Sequence, residues 1–229
     1  MNFLEAKIFL KENGYCSFNL KDYNQDYFDF VKNNFNCNEE NNLQKYFTGI
    51  RAAYKTKDTF GSIEESLFER YSSFEEANQK KLEILNESEF INQLWLYSED
   101  DLVGFDRTNK LRQIGIEFVK DLYDIDSDAI LNHNQQYSYY NEGCRLPNHS
   151  DGTDMGRICA CLIYFNENYE EKNGGNLILN NEYKVIPEMG NVAIIDLQKF
   201  EVPHEVTKVD GGIGRFAFIS FVSYQKLFN

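Results

Sequence analysis

After about residue 133 the chain changes texture. QQYSYY, ICACLIYF, NLIL, YKVI, NVAIID and RFAFISFVSY are short β-branched or aromatic runs, separated by clusters of Gly, Asn, Asp and Pro. Such side chains suit a pleated, half-buried surface and the intervening residues suit turns, so the pattern predicts an all-β sandwich or barrel of roughly 90 residues. The preceding part is patterned for helices. Leu4, Ile8, Phe9 and Leu10, with Gly14 behind them, predict a helix over 2–13, and a short strand follows at residues 15–18. Tyr23, Tyr27, Phe28, Val31 and Phe35 predict a second helix over 21–36, and residues 36–44 read as a polar loop. Residues 62–97, rich in Glu, Leu and Phe, predict two helices broken near Ser72 or Glu87, and 111–124 predicts one more. The expectation is an α+β chain forming one domain over 1–229. In it a mainly helical support and substrate-side region at 1–132 holds a β core at 133–229.

Charge and cysteine usage narrow the partners. There are 37 acidic against 23 basic residues, a formal net charge of -14. No Lys/Arg stripe offers a footprint for a phosphate backbone, so nucleic acid is not an expected partner. Five cysteines, Cys16, Cys37, Cys144, Cys159 and Cys161, form an odd set with no CxxC spacing, which favours free thiols in a reducing compartment. Glu5, Lys7 and Lys11 interrupt the apolar N-terminal run, unlike the uninterrupted core of a signal peptide. No stretch approaches the ~20 apolar residues of a membrane span. A soluble, cytoplasmic protein with no membrane partner is expected.

The chain has three histidines, and one stands in NHSDGTD at 148–154. On an extended segment, residues i and i+2 point to the same side, so His149 and Asp151 could reach one ion together. Taken alone, the tripeptide is more commonly turn chemistry of the Asx kind than a ligand pair. A third ligand would come from elsewhere: His204 in EVPHEV is the other histidine in a strand-like context, and His133 is the remaining one. Two histidines and one carboxylate make the facial triad of non-haem Fe(II) sites, with coordination positions left open for substrate and O2. Arg215 opens the apolar strand RFAFISFV, where a guanidinium is costly to bury unless it meets an anion.

These segments together resemble the prolyl 4-hydroxylase-like branch of the Fe(II)/2-oxoglutarate-dependent dioxygenases. The resemblance rests on YNEGCRLPNHSD at 140–151, ICACLIYFNENYEEKNGGNLIL at 158–179 and PHEVTKVDGGIGRFAFISF at 203–221. It implies a double-stranded β-helix (jelly-roll) core in which His149, Asp151 and His204 bind iron. It also implies that Arg215 pairs with the distal carboxylate of 2-oxoglutarate, that Tyr140 stands beside this cosubstrate, and that the hydroxyl of Tyr164 reaches its distal end. No catalytic residue beyond the metal ligands is implied. Each tyrosine could instead be a core aromatic with a satisfied hydroxyl. If Tyr164 faces the cavity, strand alternation turns Cys159 and Cys161 away, and two clustered thiols without further ligands make a poor zinc site. Arg157 matches a position near the substrate in some relatives, although an exposed loop arginine is the plainer explanation.

The implied cofactors are Fe(II), 2-oxoglutarate and O2, and the implied reaction is hydroxylation of an aliphatic C–H. Asp151 favours hydroxylation over halogenation, because related halogenases carry a small residue there. Nucleic-acid demethylases of this class usually show a second arginine six residues beyond the first, where this chain has Phe221, a position often tryptophan in other relatives. The leading substrate is a prolyl residue in a peptide or protein. A free amino acid or other small metabolite is the alternative, and a non-catalytic metal-binding β-sandwich is the alternative from another class. A Ser-His-Asp hydrolase built on Ser150 fails, since adjacent strand residues point apart and no nucleophile elbow is present. Gly143, Gly152 and Gly156 flank the motif, so the loops 141–148 and 152–157 are expected to flex over the site.

Overall fold

A computed structural model describes residues 1–35, 49–55, 69–71, 91–97, 102–140, 142–151, 156–211 and 214–224. The described strands are β1 (Tyr15–Asn19), β2 (Gly49–Lys55), β3 (Glu69–Tyr71), β4 (Ile91–Tyr97), β5 (Leu131–Tyr140) and β6 (Leu146–His149), then β7 (Arg157–Tyr164), β8 (Leu177–Leu179), β9 (Tyr183–Val185), β10 (Asn191–Asp196), β11 (His204–Val206) and β12 (Arg215–Tyr224). They form an eight-stranded sheet, in the order β1-β10-β7-β12-β5-β4-β2-β3, and a four-stranded sheet, β6-β11-β8-β9. Every ladder is antiparallel. The described helices are α1 (Phe3–Asn13), α2 (Leu20–Tyr23), α3 (Gln25–Asn34) and α4 (Leu102–Tyr123).

Alternation along the central strands of the large sheet sorts the apolar residues into two cores. Ala160, Leu162 and Tyr164 of β7, Ala193 and Ile195 of β10, and Ala217 and Ile219 of β12 pack with Leu177, Leu179 and Val206 of the small sheet. This is the interior of a jelly roll, where inward faces interdigitate. The opposite residues, Cys159, Cys161 and Ile163, Val192 and Ile194, and Phe216, Phe218 and Val222, meet the helices through Leu10, Val31, Ile114, Phe118 and Leu122. The face separation expected for ICACLIYF is therefore the one observed.

Local chemistry explains where the first helix starts and stops. The Asn2 side-chain oxygen accepts from the Glu5 N–H and the Glu5 carboxylate accepts from the Asn2 N–H, a reciprocal capping box. Gly14 ends the helix at φ 79°, and a Cβ there would stand 2.3 Å from Cγ of Phe200. Only glycine fits both demands.

Two expectations are corrected. Glu69–Tyr71 and Ile91–Tyr97 fall in the span expected to be helical but are strands, with Leu94, Trp95 and Leu96 paired to Tyr139, Ser138 and Tyr137 of β5. A short apolar run such as INQLWLY fits either period, and what decides it is the edge of β5, a long-range partner. Residues 1–132 thus contribute four complete strands to the large sheet as well as helices. Secondly, Leu146–His149, inside the expected loop 141–148, is strand β6. The loop expected at 36–44, residues 62–68 and 72–90 of the span expected to be helical, Cys37 and Gly152 lie outside the described residues.

Asn166 joins the end of β7 to the start of β12. Buried, it donates through Nδ2 to the carbonyls of Pro187 (2.6 Å) and Phe216 (3.2 Å) and accepts from the Phe216 N–H at 2.9 Å. Asn166→Leu removes three bonds to backbone groups, although the Phe216 carbonyl keeps the Phe165 N–H at 3.2 Å. A loss of about 2–4 kcal/mol is expected, seen as a lower denaturant midpoint at unchanged m-value. An unchanged midpoint would show that these bonds are not needed.

Candidate functional site

His149 closes β6 and His204 opens β11, and the two are direct cross-strand partners. Their ring centroids lie 4.2 Å apart at 52°. His204 is also paired with Leu179, an inner-core residue, and paired residues project to the same side of a sheet, so the His204 ring faces the interior. A register shift between His204 and Val206 on the β6 side is the kind of irregularity that re-aims side chains.

Asp151 completes the group. Its Oδ1 lies 3.7 Å from His149 Nε2 and its Oδ2 3.7 Å from His204 Nε2. That is wider than a hydrogen bond. It is close to the spacing of roughly 3–4 Å kept by donors that each sit ~2.1 Å from one ion. All three ligand atoms fall within 4.8 Å of one another. His133, the other histidine weighed from sequence, belongs to β5.

The second ring nitrogen of His204 is fixed by the backbone. Nδ1 stands 3.0 Å from the Val202 carbonyl, which can only accept, so Nδ1 carries the proton and Nε2 presents its lone pair toward Asp151. Burial lowers the pKa of His204 below its ordinary value. The Asp151 carboxylate opposes that shift and His149 adds to it. A neutral imidazole is the form that binds metals. Val202 is a contributor that sequence reasoning missed, because a backbone carbonyl leaves no residue-type signature.

The second half of the site lies on the large sheet. Arg215, 1% exposed, is the first residue of β12 and the cross-strand partner of Tyr140. Its guanidinium stands 4.9 Å from the Tyr140 ring centroid and 5.0 Å from that of Tyr164. Nη2 donates to the Tyr164 hydroxyl at 3.1 Å, while Nε and Nη1 find no acceptor among the described residues. Burial pushes the phenols of Tyr140 and Tyr164 upward, with Arg215 pulling against it, so both remain protonated donors at neutral pH. A buried cation with two unmatched nitrogens is expensive, by several kcal/mol, unless an anion meets it. The pocket therefore has the chemistry of a carboxylate site.

Other sequence candidates fall elsewhere. Arg157 begins β7, half-buried, with Cζ 4.3 Å from the Phe221 ring centroid, a stacked position and not a free loop one. Cys159 and Cys161 face the helices, and burial raises both thiols well above their ordinary value. Tyr169 is a buried residue to which no role was given in the sequence. Its hydroxyl finds no partner among the described residues, and among 15 tyrosines nothing in its sequence position marks it out.

Residues 135–223 match the family model described as the 2OG-Fe(II) oxygenase superfamily. No curated protein sequence matches the chain. Solved structures share the fold at low identity. A prolyl hydroxylase from Trichoplax adhaerens, solved with a hypoxia inducible factor oxygen degradation domain peptide fragment, superposes at a TM-score of 0.62 with 14% identity, over 98% of this chain and 90% of that one. A prolyl-4-hydroxylase from Pseudomonas putida gives 0.56 with 14% identity, over 97% and 99%. An oxidoreductase of the 2OG-Fe(II) oxygenase family from Burkholderia pseudomallei gives 0.53 with 12% identity, over 97% and 91%.

Proposed function

We propose that this chain, whose residues 135–223 match the 2OG-Fe(II) oxygenase superfamily model, is an oxygenase of that kind and hydroxylates a prolyl residue in a peptide or protein. Fe(II), 2-oxoglutarate and O2 are the cofactors of this superfamily. His149, Asp151 and His204 hold the iron, and the neutral His204 ring is kept in register by Val202. Arg215 takes the distal carboxylate of 2-oxoglutarate, with the Tyr164 hydroxyl beside it and the Tyr140 ring against its guanidinium. When bound, iron with 2-oxoglutarate and O2 supplies the oxidising power: one oxygen atom enters the substrate C–H as hydroxyl, the other enters succinate, and CO2 leaves.

The chain's own share is binding and orientation. Arg215 fixes the dicarboxylate at its far end. The apolar neighbours Leu162, Ala217 and Ile219 keep bulk water from the pair and strengthen it. The observation that carries this reading is the buried guanidinium with two unmatched nitrogens in a core that also holds a two-histidine, one-carboxylate cluster. The prolyl assignment is supported by two prolyl hydroxylases among the structural relatives, one solved with a peptide. Arg157, held over Phe221, is assigned to the substrate side. Three buried free thiols, Cys16, Cys159 and Cys161, agree with a reducing cytoplasmic setting.

The test is succinate formation by the iron-loaded protein against a panel of proline-containing peptides and, separately, free proline and other free amino acids, with mass analysis of the products. One added oxygen on a prolyl residue, matched to succinate, is the expected result. Turnover of free amino acids with none on peptides would overturn the peptidyl assignment. Arg157→Ala is expected to raise the peptide KM about tenfold or more while leaving 2-oxoglutarate binding unchanged. An equal effect on both ligands would remove Arg157 from the substrate side.

A further inference from the structure

Tyr169 lies five residues beyond Tyr164, just before a 3-10 turn at Glu171–Asn173. It is 4% exposed, yet its hydroxyl has no hydrogen-bond partner among the described residues. Buried hydroxyls without partners are uncommon and costly. Its neighbourhood explains what it faces. Gly175, at φ 60°, carries no side chain, and a Cβ placed there would stand 2.8 Å from the Tyr169 hydroxyl and 3.1 Å from Cδ of Arg215. The Tyr169 hydroxyl, the Arg215 stem and Val209, whose Cγ2 would be 3.0 Å from that Cβ, thus converge on one glycine, which lets the hydroxyl and the arginine approach each other.

Unmatched donors belong to both side chains. Among the described residues Arg215 Nε and Nη1 and the Tyr169 hydroxyl have no hydrogen-bond partner, and Tyr164, which accepts from Arg215 Nη2, has its own O–H to give. An ionised carboxylate has two oxygens and about four acceptor sites, enough for all of them. Burial holds the Tyr169 phenol up at about 12, against the pull of Arg215, so it is a donor throughout the physiological range.

We propose that Tyr169 is a cosubstrate-positioning residue, a second hydroxyl donor to the distal carboxylate that Arg215 binds. This rests on the assignment of Arg215 to 2-oxoglutarate. A dicarboxylic 2-oxo acid is then selected over a shorter one by three side chains: Arg215, Tyr164 and Tyr169. Gly175 has a positioning role of its own, because a methyl group there would press on both the hydroxyl and the arginine stem.

The experiment is an anaerobic titration of the Fe(II)-loaded protein with 2-oxoglutarate, followed by the absorption of the keto acid chelate, and with 2-oxobutyrate, which lacks the distal carboxylate. Tyr169→Phe is expected to weaken 2-oxoglutarate about tenfold and leave 2-oxobutyrate unchanged. Without ligand, its thermal midpoint should be equal or higher, since an unmatched buried hydroxyl is gone. In turnover, KM for 2-oxoglutarate should rise with kcat preserved. Equal weakening of both oxo acids, or a lowered midpoint without ligand, would make Tyr169 a packing residue and overturn the proposal. Unchanged 2-oxoglutarate affinity in Tyr169→Phe, with affinity lost in Arg215→Met, would overturn the Tyr169 assignment alone. Unchanged affinity in both variants would overturn the assignment of Arg215 and this proposal with it.

Discussion

Asp151→Ala is expected to lower succinate formation roughly a thousandfold or more and to abolish iron retention after desalting. Asp151 is the one anionic member of the cluster and faces both histidine Nε2 atoms at 3.7 Å. Without it, two imidazoles remain, too few ligands, and none of them anionic, to hold a divalent ion against water. The carboxylate is about one-fifth exposed, so the fold should survive, with a stability change within about 0.5 kcal/mol. Metal analysis and thermal unfolding separate the two effects. A variant that keeps its iron and its turnover would remove Asp151 from the metal centre.

Arg215→Met is expected to behave in the opposite way on stability. Cosubstrate affinity should fall roughly a hundredfold or more, because a buried charge pair loses one partner. The ligand-free protein, however, should be as stable as the parent or more so: methionine has similar length and no unmatched nitrogens, whereas Arg215 buries a cation whose Nε and Nη1 go unanswered. Thermal scans show both effects at once. In the parent, 2-oxoglutarate at a hundred times its Kd adds about 2.7 kcal/mol, and in Arg215→Met at the same concentration most of that gain is lost. A large destabilisation without ligand would mean that Arg215 is a packing element of β12 before it is an anion receptor.

Much of the site was legible because its parts are marked by residue type and local geometry. His149 and Asp151 are two apart, on and just beyond a strand. Strand alternation put Tyr164 on the face opposite Cys159 and Cys161, and the two cores show that the tyrosine's face is the inner one. Arg215, a charge opening an apolar strand, stood out by its cost. Some contributors left no such mark. The Val202 carbonyl that fixes the His204 ring is backbone, and the proximity of Tyr169 to Arg215 exists only once Gly175 brings its turn against them.

The fold was legible to the same depth. The β core follows from short runs punctuated by turn residues, while β4 was taken for helix because its partner, β5, lies far along the chain. Pairing across such separations is decided by the sheet edge, which local periodicity does not encode. The same limit applies to β1, whose residues pair with β10 nearly the whole chain away. Its strand character was visible from its own residues, its place at the edge of the large sheet was not.

The central claim is that one interior holds an iron site and a receptor for 2-oxoglutarate together. Its most direct test is anaerobic addition of Fe(II) and then 2-oxoglutarate to the full chain, read by the visible charge-transfer absorption of a keto acid chelated to iron, with His149→Ala and Arg215→Met in parallel. The band is expected in the parent, absent in His149→Ala, and present in Arg215→Met only at much higher 2-oxoglutarate. A folded, iron-loaded parent that shows no band at saturating 2-oxoglutarate would contradict the account.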